Sequence, residues 1–413
     1  MKAKLLTLSF LLGCITLVAQ CPRATMVTNY NTVYLGSAVS DTELAWTGNS
    51  STCTAGTIST LAKTRTLNRI NYFRQLVGLP GNITFDPALN TKCQEAALMM
   101  RANNQLSHFP PTSWLCYTAD GALAASKSNI SGGGQSQSYH SAATISGQIN
   151  DAGTGNTAVG HRRWILYTKA SIFGHGSTLS SSALWVVNST APAAPIDYVA
   201  FPSAGFFPAP LVPLSGRWSF GKDGADFTNA TVQMTDNSGV AVSTTLETLT
   251  NGYGDNTLVW KPTGIITTSQ TDLAYTVNVN NVIVSGASQN FTYVVKICQA
   301  VHPPQCPIGK TWSESSCDCV LQTDVDQLSA ESQLAISIYP NPASNNINLV
   351  LNTNEDLKEA IVELFDISGR KISSEKINEK TLKIDVSSLS NGMYYIVVEN
   401  NGKQYKDKII VNK

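Results

Sequence analysis

Glutamate is missing from a long stretch of this chain: none occurs between Glu95 and Glu247. Charge of either sign is sparse, at 14% of residues, and 28 acidic residues balance 28 basic ones. That balance gives no electrostatic basis for binding nucleic acid or an anionic membrane. Histidine is rarer still, with five in 413 residues. Beyond the N-terminus no apolar run approaches the roughly 18 residues that would cross a bilayer. There is no HExxH zinc helix, no GxSxG nucleophile elbow and no phosphate loop, so hydrolases built on those devices lose their sequence basis.

What is present first is a leader. MKAKLLTLSFLLGCITLVAQ sets two lysines before an apolar run and ends in short residues, which reads as a secretory signal peptide over 1–20, cut after Gln20. LLGC at 11–14 leaves a lipoprotein site as the alternative. Cleavage after Gln20 leaves Cys21, Cys53, Cys93, Cys116, Cys298, Cys306, Cys317 and Cys319. An even set in an exported chain favours disulfides over thiol chemistry. The expected grouping is Cys21 with Cys53, Cys93 with Cys116, and the last four among themselves. A zinc site made by those four is the alternative, although their spacing is not CxxC…CxxC.

The chain is too long for one ordinary core, so several domains are expected. Residues 21–57 read as an extended lead-in, rich in Thr, Ser and Asn. A helical period then runs through Leu67, Ile70, Phe73 and Val77 and stops at Gly78 and Pro80. Asp86 and Pro87 open a second helix, with Leu89, Cys93, Ala96, Ala97 and Met100 on one face. Residues 107–140 look loop-like, a short helix is expected around 142–150, and ALWVVN at 183–188 reads as a buried strand. From 201 to 297, strand-length runs separated by Gly, Asn and Asp turns predict an Ig-like antiparallel β-sandwich. A stapled unit follows at 298–320 and a polar linker at 321–335. Strand signals then resume over 336–413, where charge is more concentrated and NNG at 400–402 marks a hairpin.

Two segments resemble known families. The stretch 58–200 is similar to the CAP (SCP-like) superfamily in its bacterial form, through LNRINYFRQLVGLPGNITFDPALN at 67–90, SHFPPTSWLCY at 107–117 and VGHRRWIL at 159–166. The resemblance implies an α-β-α sandwich with a surface cleft lined by two histidines, here His108 and His161. Many relatives add two glutamates, one of them shortly after the first His. Here DGALAASKSNIS at 120–131 has Ala122, Leu123 and Ala124 at that place, and Asp120 and Asp151 are the carboxylates of the cleft loops. The tail from Ile336 to Lys413 resembles the C-terminal sorting domain of type IX secretion, through YPNP at 339–342, VELFDISGRKI at 362–372, LSNGMYYIVV at 389–398 and the closing KDKIIVNK. That implies a Gram-negative exporter, passage through the periplasm to the medium or cell surface, and removal of the tail.

The expected protein is thus an α+β multidomain chain. A CAP-like domain is followed by the Ig-like sandwich, the disulfide-stapled module and the sorting sandwich. His108, His161, Asp151 and Arg163 are the candidate cleft residues, with His108 and His161 as possible zinc ligands. Alternatively His108 caps its helix, and Arg162 and Arg163 brace loops through carbonyls and Asp151. His140 and His175 are expected to be exposed. The expected partners are the type IX machinery and an extracellular lipid, glycan or peptide in the cleft. The rival reading is a metal-assisted hydrolase or peptidase.

Overall fold

The computed structural model describes residues 21–132, 140–188, 191–313, 316–321, 335–352, 357, 360–367, 370–377, 379–400 and 403–413. The leader lies outside the described residues. The chain divides into two compact units, Met1–Val320 and Leu321–Lys413.

The first unit opens differently from the extended lead-in expected for 21–57. Helix α1 (Pro22–Asn29) runs on through a π turn at Tyr30–Tyr34 and a 3-10 turn at Leu35–Ser37. A one-turn helix, α2 (Asp41–Leu44), is closed by a Ser40–Glu43 capping box. Met26, Val27 and Tyr30 are among the buried apolar side chains here, and the Thr and Asn around them hide the helical period. Helix α3 (Thr60–Leu76) starts where Ser59 accepts from the Ala62 N–H, and buries Ile70 and Phe73. A short strand, β1 (Thr84–Phe85), precedes helix α4 (Pro87–Asn103), whose Asp86 cap accepts from the N–H groups of Ala88 and Leu89. The supposed loop 107–140 contains helix α5 (Ala119–Lys127) and strand β2 (Ser128–Gly132). Gly121, Ala124 and Ala125 form the buried face of α5, so it packs on α4 with small side chains and gives no large-residue period.

Helix α6 (Ser141–Asn150), helix α7 (Gly160–Ile165) and strands β3 (Ile172–Ser177) and β4 (Ser181–Trp185) complete the sheet. Its order is β1-β3-β4-β2, parallel between β1 and β3 and antiparallel elsewhere. Alternate residues of β4 sort to opposite faces. Ala183 and Trp185 join Cys93, Ala96, Met100, Ala124 and Ala125 beneath α4 and α5, while Leu184 and Val186 join the core of α3 and α6. Gly176 lets α4 lie directly on β3, because a Cβ there would sit 2.2 Å from the Gln94 nitrogen.

Two further sheets follow in the same unit. Strands β5 (Val199–Phe201), β6 (Gly205–Pro208), β7 (Trp218–Gly221), β8 (Thr231–Asp236), β9 (Ala241–Val242), β10 (Thr244–Leu246), β11 (Thr257–Pro262), β12 (Leu273–Val284) and β13 (Ala287–Cys298) build them. The orders are β10-β11-β7-β5 and β6-β13-β12-β8-β9. β5 and β6 arise from the Pro-rich text after 197 and take edge positions, where a missing N–H is tolerated. Phe207, Trp218, Phe220, Trp260, Val277 and Val295 are buried in a cluster that continues into Ile70, Phe73 and Ile165 of the helical layer.

Strands β14 (Lys310–Ser313) and β15 (Asp318–Leu321) form a hairpin in the stapled module. The cystines are Cys21–Cys317, Cys53–Cys116 and Cys306–Cys319, while Cys93 and Cys298 are free and buried. The expected Cys21–Cys53 and Cys93–Cys116 pairs are therefore corrected, and so is the pairing of the last four cysteines among themselves, since Cys317 bonds Cys21 and Cys298 is free. Cys93 faces inward from α4, whereas Cys53 and Cys116 lie in two loops with Cα atoms 4.9 Å apart. Burial pushes both free thiols up to about 12, so neither is a ready thiolate. The module is fastened to α1: Arg23, fully buried, pairs with Asp272 at 2.8 Å and donates to the carbonyls of Gln299 and Val301.

The second unit contains strands β16 (Ala335–Tyr339), β17 (Asn346–Asn352), β18 (Ala360–Asp366), β19 (Lys371–Ile377), β20 (Thr381–Asp385), β21 (Gly392–Asn400) and β22 (Lys403–Val411). They form sheets of order β16-β17-β20 and β19-β18-β21-β22 around a separate core containing Ile347, Leu349, Val362, Ile396, Val398 and Ile409.

Candidate functional site

The loop 151–159 between α6 and α7 is bracketed by two left-handed residues, Asp151 (φ 51) and Val159 (φ 45). Aspartate tolerates that conformation, whereas a β-branched, fully buried valine there marks local strain. The loop's effect is to fold Asp151 back on the start of α7. Its Oδ2 accepts the His161 backbone N–H at 3.0 Å and its Oδ1 accepts the ring Nδ1 at 2.8 Å. The Asp151 side chain is fully buried, and the His161 side chain is 26% exposed.

His108 comes from the segment after α4. Its Nδ1 lies 2.9 Å from the Ala125 carbonyl, which can only accept, so this ring too carries its proton on Nδ1. In their neutral forms both imidazoles are thus held with Nε2 as the free acceptor. The helix-capping role considered for His108 is not what its ring does, since α4 ends at Asn103.

Both histidines line the same two adjoining cavities, together with Asn156. One, of about 450 Å³, adds Phe109, Lys127, Asn129, Trp164 and Tyr253. The other, of about 550 Å³, adds Leu106, Ile130, Ser131, Gln148 and Asp151. The two make a groove along β2, whose residues 128–129 line the first lobe and 130–132 the second. One wall is the 106–109 segment that follows α4. The other is the end of α6 with the 151–161 stretch, so the walls come from the two helical layers and the floor is the edge of the sheet.

The connection between β10 and β11 completes one wall. Tyr253 covers the first turn of α7, where a Cβ on Gly160 would stand 2.9 Å from its ring, and the Arg163 guanidinium lies 5.5 Å from the ring centre. Sequence reasoning missed Tyr253, because nothing local ties position 253 to position 160.

Arg163, expected in the cleft, is buried behind it and donates to the carbonyls of Thr250 and Asp255. Arg162 is buried as well, donating to Ile149 O, Arg217 O and the Ser219 hydroxyl. Burial pulls both guanidinium groups below the usual arginine range. The bracing role holds for carbonyls but not for the Asp151 carboxylate. Instead Arg217 donates to the Asp151 and Gly153 carbonyls.

His140 and His175, expected at the surface, are each 1% exposed. His140 Nε2 meets Asp41 at 2.9 Å, and His175 Nε2 meets the Ser177 hydroxyl at 3.2 Å. Burial pushes the His175 ring down to about 3, so it is neutral.

Zinc fits this groove poorly. A catalytic zinc takes three protein ligands and a water. Both oxygens of Asp151 are already engaged by His161, which leaves two imidazole nitrogens. Among the described residues no group of three or more His, Cys, Asp or Glu is placed to hold a metal ion.

Comparisons with known proteins agree with this architecture at two places. Residues 67–189 match the Cysteine-rich secretory protein family. The chain therefore carries a CAP domain, and His108, Asp151 and His161 lie within it. Residues 337–412 match the secretion system C-terminal sorting domain. This is a type IX secretion substrate, directed to the medium or the cell surface through its interaction with that machinery. No helix among the described residues is long and apolar enough to cross a membrane. Comparison with curated proteins gives no match. Similar solved structures include a biofilm-associated protein BSP domain (14% identity, 52% of this chain and 29% of that one, TM-score 0.16). Others are a two-domain fibronectin type III segment of chicken tenascin (10%, 47% and 91%, 0.17) and latent PorU from Porphyromonas gingivalis (12%, 56% and 22%, 0.15). Scores of this size carry no fold argument.

Proposed function

We propose that this is an exported recognition protein whose CAP groove binds an extracellular ligand without chemically changing it. The observation that carries the reading is the use of Asp151. The acid a hydrolytic site would offer to substrate or metal is buried and spent on orienting His161. What remains open is a two-lobed groove of ligand size whose lining is mainly aromatic and polar, with Lys127 and Asp151 as its basic and acidic residues. Strands β5–β13 form an Ig-like support in this proposal, and the Tyr253 loop is its contribution to the groove.

One observation favours a second reading. A buried carboxylate holding a histidine by Nδ1, with Nε2 facing a cleft, is the arrangement of a general base. Such an enzyme would activate water or a substrate hydroxyl without metal. The test is to screen the mature chain by thermal shift against lipids, glycans and peptides, beside His108→Ala and His161→Ala, with zinc titrated in parallel. The binding reading expects a ligand whose stabilisation is lost in both variants, recovery of that ligand unaltered, and no zinc binding tighter than micromolar. Turnover of the bound ligand that fails in His161→Ala would replace it with the second reading.

A further inference from the structure

The edge of β2 points to what the groove holds. Among the described residues β2 pairs with β4 alone, so it is an outer strand of its sheet. In an antiparallel pair alternate residues turn their N–H and C=O groups to the partner, and the intervening residues turn theirs away. Consecutive residues of β2, rather than alternate ones, line the two lobes, as expected of a cavity that runs along the edge of a strand and not over one face of its sheet. Ser128, Asn129, Ile130 and Ser131 are all buried, so these backbone groups have little access to bulk water. Sheet edges are usually blunted by charge, proline or a covering element; this one has neither proline nor charge from 128 to 132, and the groove adjoins it.

We propose that the groove takes an extended peptide as an added strand on β2. The proposal rests on the groove being a ligand site, and it names the ligand class. Main-chain hydrogen bonds to β2 would supply affinity, and alternate side chains would face the two walls. One set would meet Leu106 and Phe109, which is 83% exposed, and the other would meet His161, Trp164 and Tyr253. Five residues of β2 give room for about 17 Å of added strand at ~3.3 Å per residue.

Charge sets the direction. Lys127 immediately precedes β2 and lines the first lobe, and among the described residues its ammonium makes no ion pair. A strand added antiparallel to β2 brings its C-terminal end to this lysine, so the favoured ligand ends in a free carboxylate or carries an acidic residue there. A lipid tail fits less well, since it would desolvate the Nε2 atoms and the Asn156 amide without replacing their hydrogen bonds. A neutral oligosaccharide could use the same aromatic rings but would leave the strand edge without its complement.

An array of unstructured heptapeptides, in free-acid and amidated forms, is probed with the mature chain, and the strongest binder is N-methylated one residue at a time. Neutral oligosaccharides and phosphatidylcholine vesicles are tested beside it. The expected result is a loss of tenfold or more at alternate positions, with slowed hydrogen exchange of β2 amides in the complex. Lys127→Gln is expected to weaken the free-acid peptide severalfold and to leave the amidated one unchanged. Uniform tolerance of N-methylation overturns strand addition. Binding of oligosaccharides or vesicles with no peptide bound overturns the peptide class and leaves the groove a ligand site. Failure of every probe overturns both readings.

Discussion

Two histidine–aspartate pairs in the first unit are built with opposite burial. At the groove the acid is inside and the ring is partly open: Asp151 is fully buried and His161 is 26% exposed. At the other pair the ring is inside and the acid is out: the His140 side chain is 1% exposed and that of Asp41 58%. The contact distances, 2.8 and 2.9 Å, barely differ. Distance alone therefore says nothing about use. A buried acid fixes the orientation of a ring that a ligand can reach. A buried ring fastened to a surface acid braces the start of α6, and nothing external meets it.

The contrast is broken most severely at Asp151. Asp151→Ala removes the acceptor of both the His161 ring and the α7 backbone, and is expected to cost about 2–4 kcal/mol of stability together with groove binding. Chemical denaturation and ligand titration of the same variant measure the two losses. A loss below about 1 kcal/mol would show that the acid is not the internal strut of the groove.

Acid titration tests the buried side. The His175 ring is depressed from 6.5 to about 3 by burial, with His140 and Lys63 adding to it. A depressed folded value means that the unfolded chain binds more protons below about pH 6.5. The stability contributed above that pH is therefore lost progressively as pH falls toward 3. The limiting slope is about 1.4 kcal/mol per pH unit. Near pH 5 the loss amounts to roughly 2 kcal/mol, and His175→Phe should flatten the profile by that amount even if it lowers stability at neutral pH. An unchanged slope would place the acid sensitivity elsewhere.

The smallest effect is expected at Asp41. Asp41→Asn keeps an acceptor for His140 at a mostly exposed position, so the change should stay within about 1 kcal/mol. A cost equal to that of Asp151→Ala would erase the distinction between the two pairs.

Local signals carried much of the fold. The α3 period, the Asp86–Pro87 start of α4 and the alternating runs of β11, β12 and β13 are visible because each element's burial repeats over a few residues. Where packing uses small or polar residues the signal fails. The alanines of α5 and the Thr- and Asn-spaced face of α1 have no large apolar repeat, so nothing local marks either segment as a helix. The groove histidines were legible through VGHRRWIL and SHFPPTSWLCY. Arg163 shared the same motif and turned out to be a brace, because residues 161 and 163 on a helix project from different sides.

By itself the sequence determined the helical and strand elements with strong periods, the sorting tail, and the lack of a glutamate to complete the expected cleft constellation, since these depend on residue identity and near neighbours. Only the tertiary structure decided that Cys21 meets Cys317, that His140 and His175 are enclosed, and that Asp151 is spent on His161. It also decided that Tyr253, from the connection between β10 and β11, walls a groove along β2. These outcomes depend on how distant segments are layered, and the burial of a side chain belongs to its surroundings.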